Sequence, residues 1–171
     1  LGGDSDQPLW NHHLSAVTDY IPYTSNTMNA APGQPNGTSK LCLACHDGTV
    51  AHENYGSVSN TMGTHFFTGT SSRLTGTDLT NDHPISFKYE DALTGTAGDL
   101  SVGDPELRAI DSEVLNLGPN GVTGTIKDKL LDKDGRIQCT SCHDVHNTTG
   151  LKSLLRVNNT GSGLCLSCHN K

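Results

Sequence analysis

Little in this chain can build an ordinary hydrophobic interior. Aromatic residues make up 5% of it and hydrophobic residues of all kinds 33%. Gly, Ser, Thr, Asn and Asp together supply nearly half of the 171 residues. Such a composition turns readily but buries too little apolar surface to offset the entropy of folding. The chain is therefore either disordered or built around something other than its own side chains. Basic residues are also few: 11 Lys and Arg stand against 18 Asp and Glu, for a formal net charge of −7. Phosphate binding needs a basic face, so the balance excludes nucleic acid as a partner. It also leaves no polybasic patch for an anionic membrane surface. No stretch approaches the roughly 18 consecutive apolar residues of a membrane-spanning helix. The chain opens at Leu1 with no charged n-region or apolar h-region, and is expected to be a mature chain from which an export signal has been removed.

What is present is six cysteines, and they are not scattered. They fall as Cys42–Cys45, Cys139–Cys142 and Cys165–Cys168, each pair followed at once by a histidine: His46, His143 and His169. The segments read CLACH, CTSCH and CLSCH. C-x-x-C-H is the attachment signature of c-type haem. Two thiols add across the two vinyl groups on one porphyrin edge, and two intervening residues let one helical turn present both sulfurs. The next histidine then binds iron as the proximal ligand. Zinc needs four ligands per site, and three such units do not sort into tetrahedral sets. A thioredoxin-like motif would not recur three times beside a histidine. Pairing adjacent C-x-x-C cysteines as disulfides would cross-link the chain poorly. Three covalently attached haem c groups are the expected cofactors, and attachment chemistry of this kind is carried out outside the cytoplasmic membrane.

Three porphyrins would supply the interior that the composition lacks. The expected fold is mostly irregular coil with few short α-helices and minor β-structure, a multihaem cytochrome wrapped around three covalently bound haems. The whole chain, 1–171, is read as one trihaem domain. Within it, 1–32 is an N-terminal ligand and interface segment, 33–51 the first haem motif, 52–136 a long insert, and 137–171 the second and third motifs. Short helices are predicted at each C-x-x-C-H, with polar N-cap candidates in Gly37-Thr38-Ser39 and Gly161-Ser162-Gly163. GRIQ at 135–138 is the best strand candidate. DKDG at 132–135 resembles a calcium loop, but Leu130 holds its first acidic position, so a turn is predicted instead.

The sixth iron ligand decides between carrier and enzyme. After the proximal three, His12, His13, His52, His65, His83 and His146 remain, enough to make every haem bis-histidine. Iron with two protein ligands has no open position and moves electrons rather than binding substrate, so no enzyme activity is expected. Met28 and Met62 are alternative axial ligands that would raise the potential, but histidine is in excess. His83 precedes Pro84 in NDHPISF, where an extended segment suits distal ligation. His146 lies three residues after His143, and on one helical turn the two would point from the same side. His146 would then have to serve a neighbouring haem. His12 and His13 are adjacent and would point apart in extended chain. His52 and His65 are weaker candidates, more readily surface or packing residues than ligands.

PLWNHHLS, GQPNGTSKLCLACHDGTVA, NDHPISF, CTSCHDVHN and SLLRVNNTGSGLCLSCHNK, in that order, resemble the multihaem cytochromes with doubled C-x-x-C-H motifs. Within them the chain is similar to the extracellular cytochrome filaments of the tetrahaem nanowire type. The resemblance implies distal ligands at His12, His83 and His146, stacked and perpendicular haem pairs, and an axial histidine donated across a subunit boundary, with His12 or His13 the natural donor. The chain departs from that family in carrying three motifs rather than four and a doubled histidine at 12–13. The expectation is extracellular or cell-surface electron transfer by a homopolymer whose redox donor and acceptor are not named by the sequence. A monomeric periplasmic shuttle is the alternative, and a haem reductase with an open iron position the third.

Overall fold

The structure is a computed structural model that describes residues 12–54, 64–68, 75–95 and 103–170. Regular elements are few and short, as the composition predicts. In chain order they are α1 (Gly37–His46), β1 (Phe87–Lys88), α2 (Tyr89–Thr94), α3 (Ile126–Lys129), β2 (Arg136–Ile137), α4 (Cys139–Cys142), 3₁₀ turns at Lys152–Leu154 and Thr160–Ser162, and α5 (Gly163–Cys168). Three of the five helices are the C-x-x-C segments. The chain divides into two compact units, one of residues 1–24 and 32–86, the other of 25–31 and 87–171. The first holds one cysteine pair and the second holds two. The long insert foreseen at 52–136 is shared between them.

In the first unit, α1 runs ten residues and ends at Asp47, whose N–H bonds to Leu43 O. Its N-cap is Asn36, one residue before the polar run expected to cap it. The helix lays Leu43 against Tyr20 and Leu79, with Val17 and Ile85 at the edge. That cluster is small, and beside it the chain from Ile21 bridges in parallel to Asp78.

The second unit contains more side-chain interior than the composition suggests. Phe87, Tyr89, Ala92, Val114, Ile126, Leu130, Ile137 and Val157 form one buried cluster. Five of these lie on short elements that each present one or two apolar residues, so no periodic stripe announces them. β1 pairs antiparallel with β2, Phe87 opposite Ile137, which places the predicted GRIQ strand in a two-stranded ribbon. Local chemistry fixes each boundary. Gly95 ends α2 in the left-handed conformation, its N–H bonded to Asp91 O, a geometry that favours glycine. Thr125 caps α3 by accepting from Asp128 N. At DKDG, Asp132 Oδ1 accepts from the N–H groups of Asp134 and Arg136 while Oδ2 accepts from Gln138. Those bonds make the segment the turn that was predicted, with the carboxylate occupied by its own loop.

Candidate functional site

All six cysteines carry free thiols. Residues three apart on a helix share a face, so each pair stands on a single turn: Cys42 and Cys45 late in α1, Cys139 and Cys142 bounding α4, Cys165 and Cys168 in α5. α4 is held by a reciprocal capping box, in which the Gln138 side chain accepts from the backbone of Ser141 and Ser141 Oγ accepts from Gln138 N. In α5 the matching Ser167 instead accepts from Leu115 N at 3.0 Å and donates back within the helix to Gly163 O at 2.8 Å. The predicted cap Ser162 does precede α5, in a left-handed conformation and without a side-chain cap bond.

The helices of the second and third motifs stop at the second cysteine, and each histidine continues in extended backbone. His143 bridges antiparallel to Leu155, and His169 to Leu107. This corrects the expectation that His143 and His146 share a helical turn. The pairing with Leu155 takes the chain out of the helix, so the same-side geometry inferred for that pair does not hold. His146 instead lies exposed on the following turn, its N–H bonded to Asp144 Oδ1 at 3.1 Å.

Two imidazoles are held through Nδ1 by backbone carbonyls. His143 Nδ1 lies 2.9 Å from Ser153 O, and His83 Nδ1 lies 2.9 Å from Pro84 O. A carbonyl only accepts, so in both rings Nδ1 carries the proton and Nε2 carries the lone pair. Metal-ligating histidines are held in this way, the far ring nitrogen donating to a fixed oxygen. His83 also borders an open apolar groove walled by Pro22, Pro32, Pro35, Leu79 and Pro84. Within the first unit His12 is buried, and its Nε2 lies 3.5 Å from Cys45 Sγ. His13 follows with its N–H bonded to Asn54 O. On the other side, Phe67 stacks on His46 at 4.8 Å and on His52 at 5.8 Å, with His65 5.7 Å from His52. His65 Nδ1 donates to Glu53 Oε1 at 2.7 Å. Desolvation raises the Glu53 carboxyl, but donation from Thr64 N–H and the His65 ring outweighs it and holds the group down at about 2. Met28 lies in the second unit, and Met62 falls outside the described residues.

The two C-terminal motifs come within electrostatic reach of each other. Burial pushes the Cys142 thiol up to about 11, helped by the neighbouring Cys139 and Cys165. Burial pushes Cys168 up to about 12, with Cys142 adding to it. Among the described residues no cluster of three His, Cys, Asp or Glu side chains forms a metal site of its own. Each thiol pair thus stands on one turn directly before a histidine, and the His143 ring is oriented by its Nδ1 contact to Ser153 O.

Residues 127–171 match the doubled CXXCH motif family. Its C-x-x-C-H pairs imply covalently bound haem c, and the match supports a multihaem c-type cytochrome that takes part in electron transfer. The matched segment is just over a quarter of the chain and holds the second and third motifs. Neither a curated protein nor a solved structure matches the chain.

Several residues that hold the doubled CXXCH pair were not foreseen. Arg108 N donates to Cys168 O at 2.8 Å, and its Nη1 reaches the carbonyls of Glu113, Ser167 and Leu166 at 3.0, 3.3 and 3.4 Å. Tyr89 OH donates to Arg108 O at 2.8 Å and to Cys168 O at 3.1 Å. Arg156 repeats the pattern on the second motif: its N–H donates to Cys142 O at 2.9 Å and its Nε to Thr140 O. Both arginines follow the leucine that pairs with the motif histidine. The repeated Leu-Arg dipeptide was the signal available in the sequence.

Proposed function

We propose that this chain is a trihaem c-type cytochrome that transfers electrons at the cell exterior, with all three irons held by two histidines. The observation that carries the reading is the donor set itself: three thiol pairs on single turns, each joined to a histidine, with His12 brought against Cys45. When bound, haem supplies a one-electron ferric–ferrous couple. The chain's residues supply the rest. Cys42, Cys45, Cys139, Cys142, Cys165 and Cys168 anchor the porphyrin edges. His46, His143 and His169 serve as proximal ligands, and His12, His83 and His146 as distal ones. Six histidine ligands leave no open iron position, so the proposed role is not enzymatic.

The nearness of the second and third motifs supports closely packed haems, and tunnelling between haems needs such packing. We extend the proposal to a homopolymer in which an exposed histidine of one subunit completes a haem of the next. His83 and His146 are both exposed. A monomeric periplasmic shuttle is the second reading, favoured by one observation: His12 is buried beside Cys45 of its own chain, which suits ligation within a single subunit.

Electron microscopy of the purified holoprotein beside its size-exclusion profile separates the two. Uniform fibres are expected, and a homogeneous monomer would leave the shuttle. The ligand set is tested spectroscopically: the oxidised protein should be low-spin and the reduced protein should bind little carbon monoxide. High-spin iron with stoichiometric carbon monoxide binding would instead indicate an open haem and an enzyme.

A further inference from the structure

The two Leu-Arg segments place a fixed positive charge on each C-terminal motif. In both, leucine pairs with the motif histidine, the arginine N–H caps the carbonyl of the second cysteine, and the guanidinium caps the carbonyl of the first residue between the cysteines. Helix-terminal carbonyls lack partners within the helix and carry partial negative charge, so a cation is stabilised there. The neighbourhoods then diverge. After His143 comes Asp144, whose side chain accepts from the N–H and hydroxyl of Thr148 and from the His146 N–H. After His169 comes Asn170, which is neutral. None of the ion pairs among the described residues engages Arg108 or Arg156. Arg108 thus acts at a motif followed by Asn170, and Arg156 at one followed by Asp144.

We propose that Arg108 and Arg156 are positioning residues that set the reduction potentials of the two haem sites in the second unit, and that the Cys165–His169 site is the more readily reduced of the pair. Gaining one electron lowers the positive charge at iron, so a nearby cation favours the reduced form and a nearby carboxylate the oxidised form. Charge and burial around the site are among the levers by which a protein tunes haem. The inference rests on the haem reading given above.

The test is a spectroelectrochemical titration of the holoprotein, with covalent haem counted by intact mass. Arg108→Gln should lower one transition by about tenfold in its reduction equilibrium, near 59 mV for one electron. Arg108→Lys, which keeps the charge, should move it by less than half as much. Asp144→Asn should raise a different transition, one lying below the Arg108-sensitive transition in the parent protein. Equal shifts for Gln and Lys at 108 would make the arginine merely structural and overturn the proposal, as would unchanged potentials in a fully loaded variant. If Arg108→Gln does not load haem, Asp144→Asn decides alone: no upward shift, or a shift in the highest transition, overturns it. Parent protein without covalent haem would overturn the haem reading itself, an outcome distinct from all of these.

Discussion

The first motif and the two C-terminal motifs carry the same five-residue chemistry in opposite settings. Behind Cys42–His46 stands a buried carboxylate: Asp47 accepts from Tyr20 OH at 2.6 Å and from both the N–H and the hydroxyl of Thr49. Burial and then Asp47 push the Cys45 thiol up, and the same two causes raise the Tyr20 hydroxyl. Behind Cys139–His143 and Cys165–His169 stand guanidinium groups, at the former together with the buried Asp144 side chain. The supporting interiors differ as well, three buried residues around Leu43 against eight around Tyr89 and Ile126. C-x-x-C-H determines what is attached, while the residues around it determine how firmly it is held and in what field.

That contrast can be broken most severely by withholding haem. With all six cysteines replaced by serine, amide protection should persist through 87–94 and 126–137 and vanish around 37–46, because among the described residues the larger side-chain core lies in the second unit. Hydrogen exchange reads this directly, and equal loss in both units would show that the side-chain cores do not distinguish them. Next in size, Ile126→Ala should cost about 2–5 kcal/mol in denaturant unfolding, since the side chain is wholly buried. Tyr20→Phe should cost about 1–3 kcal/mol by leaving Asp47 short of a buried donor. Asp47→Asn should act on electrons more than on folding. Removing a negative charge favours the ferrous form, so one transition should rise by up to about tenfold, or 59 mV. A fall there would reverse the sign assigned to the first motif. Smallest of all, Lys133→Ala breaks only an exposed pair with Asp134 and should change stability by well under about 1 kcal/mol.

The candidate haem-attachment residues were legible because that chemistry demands fixed spacing. The thiol pairs, their histidines, the ribbon at Arg136–Ile137 and the turn at Asp132 all follow from contacts a few residues apart. Less local features were hidden. His143 leaves its helix because Leu155 pairs with it, and nothing within CTSCHDVH reveals that partner. Arg108 reaches Leu166 across 58 residues, a pairing that only the folded chain brings about. The core at Tyr89, Val114 and Ile126 is spread over short elements, so neither helical nor strand periodicity marks it. Capping by Asn36 in place of Thr38 or Ser39 is the ordinary uncertainty of a helix end.

The two arginine straps also differ in chain order, and this difference bears on time. Arg156 lies 16 residues beyond Thr140, so on a chain emerging N-terminus first, the second motif stands open until its strap follows. Arg108 lies 58 residues before Leu166, so the third motif emerges to meet a strap already waiting. The second motif therefore has a built-in interval in which its thiols can be reached, whereas the third must be modified as it appears or after its strap has been pried loose. Maturation of the two neighbouring sites is in this sense a race run from different starting lines.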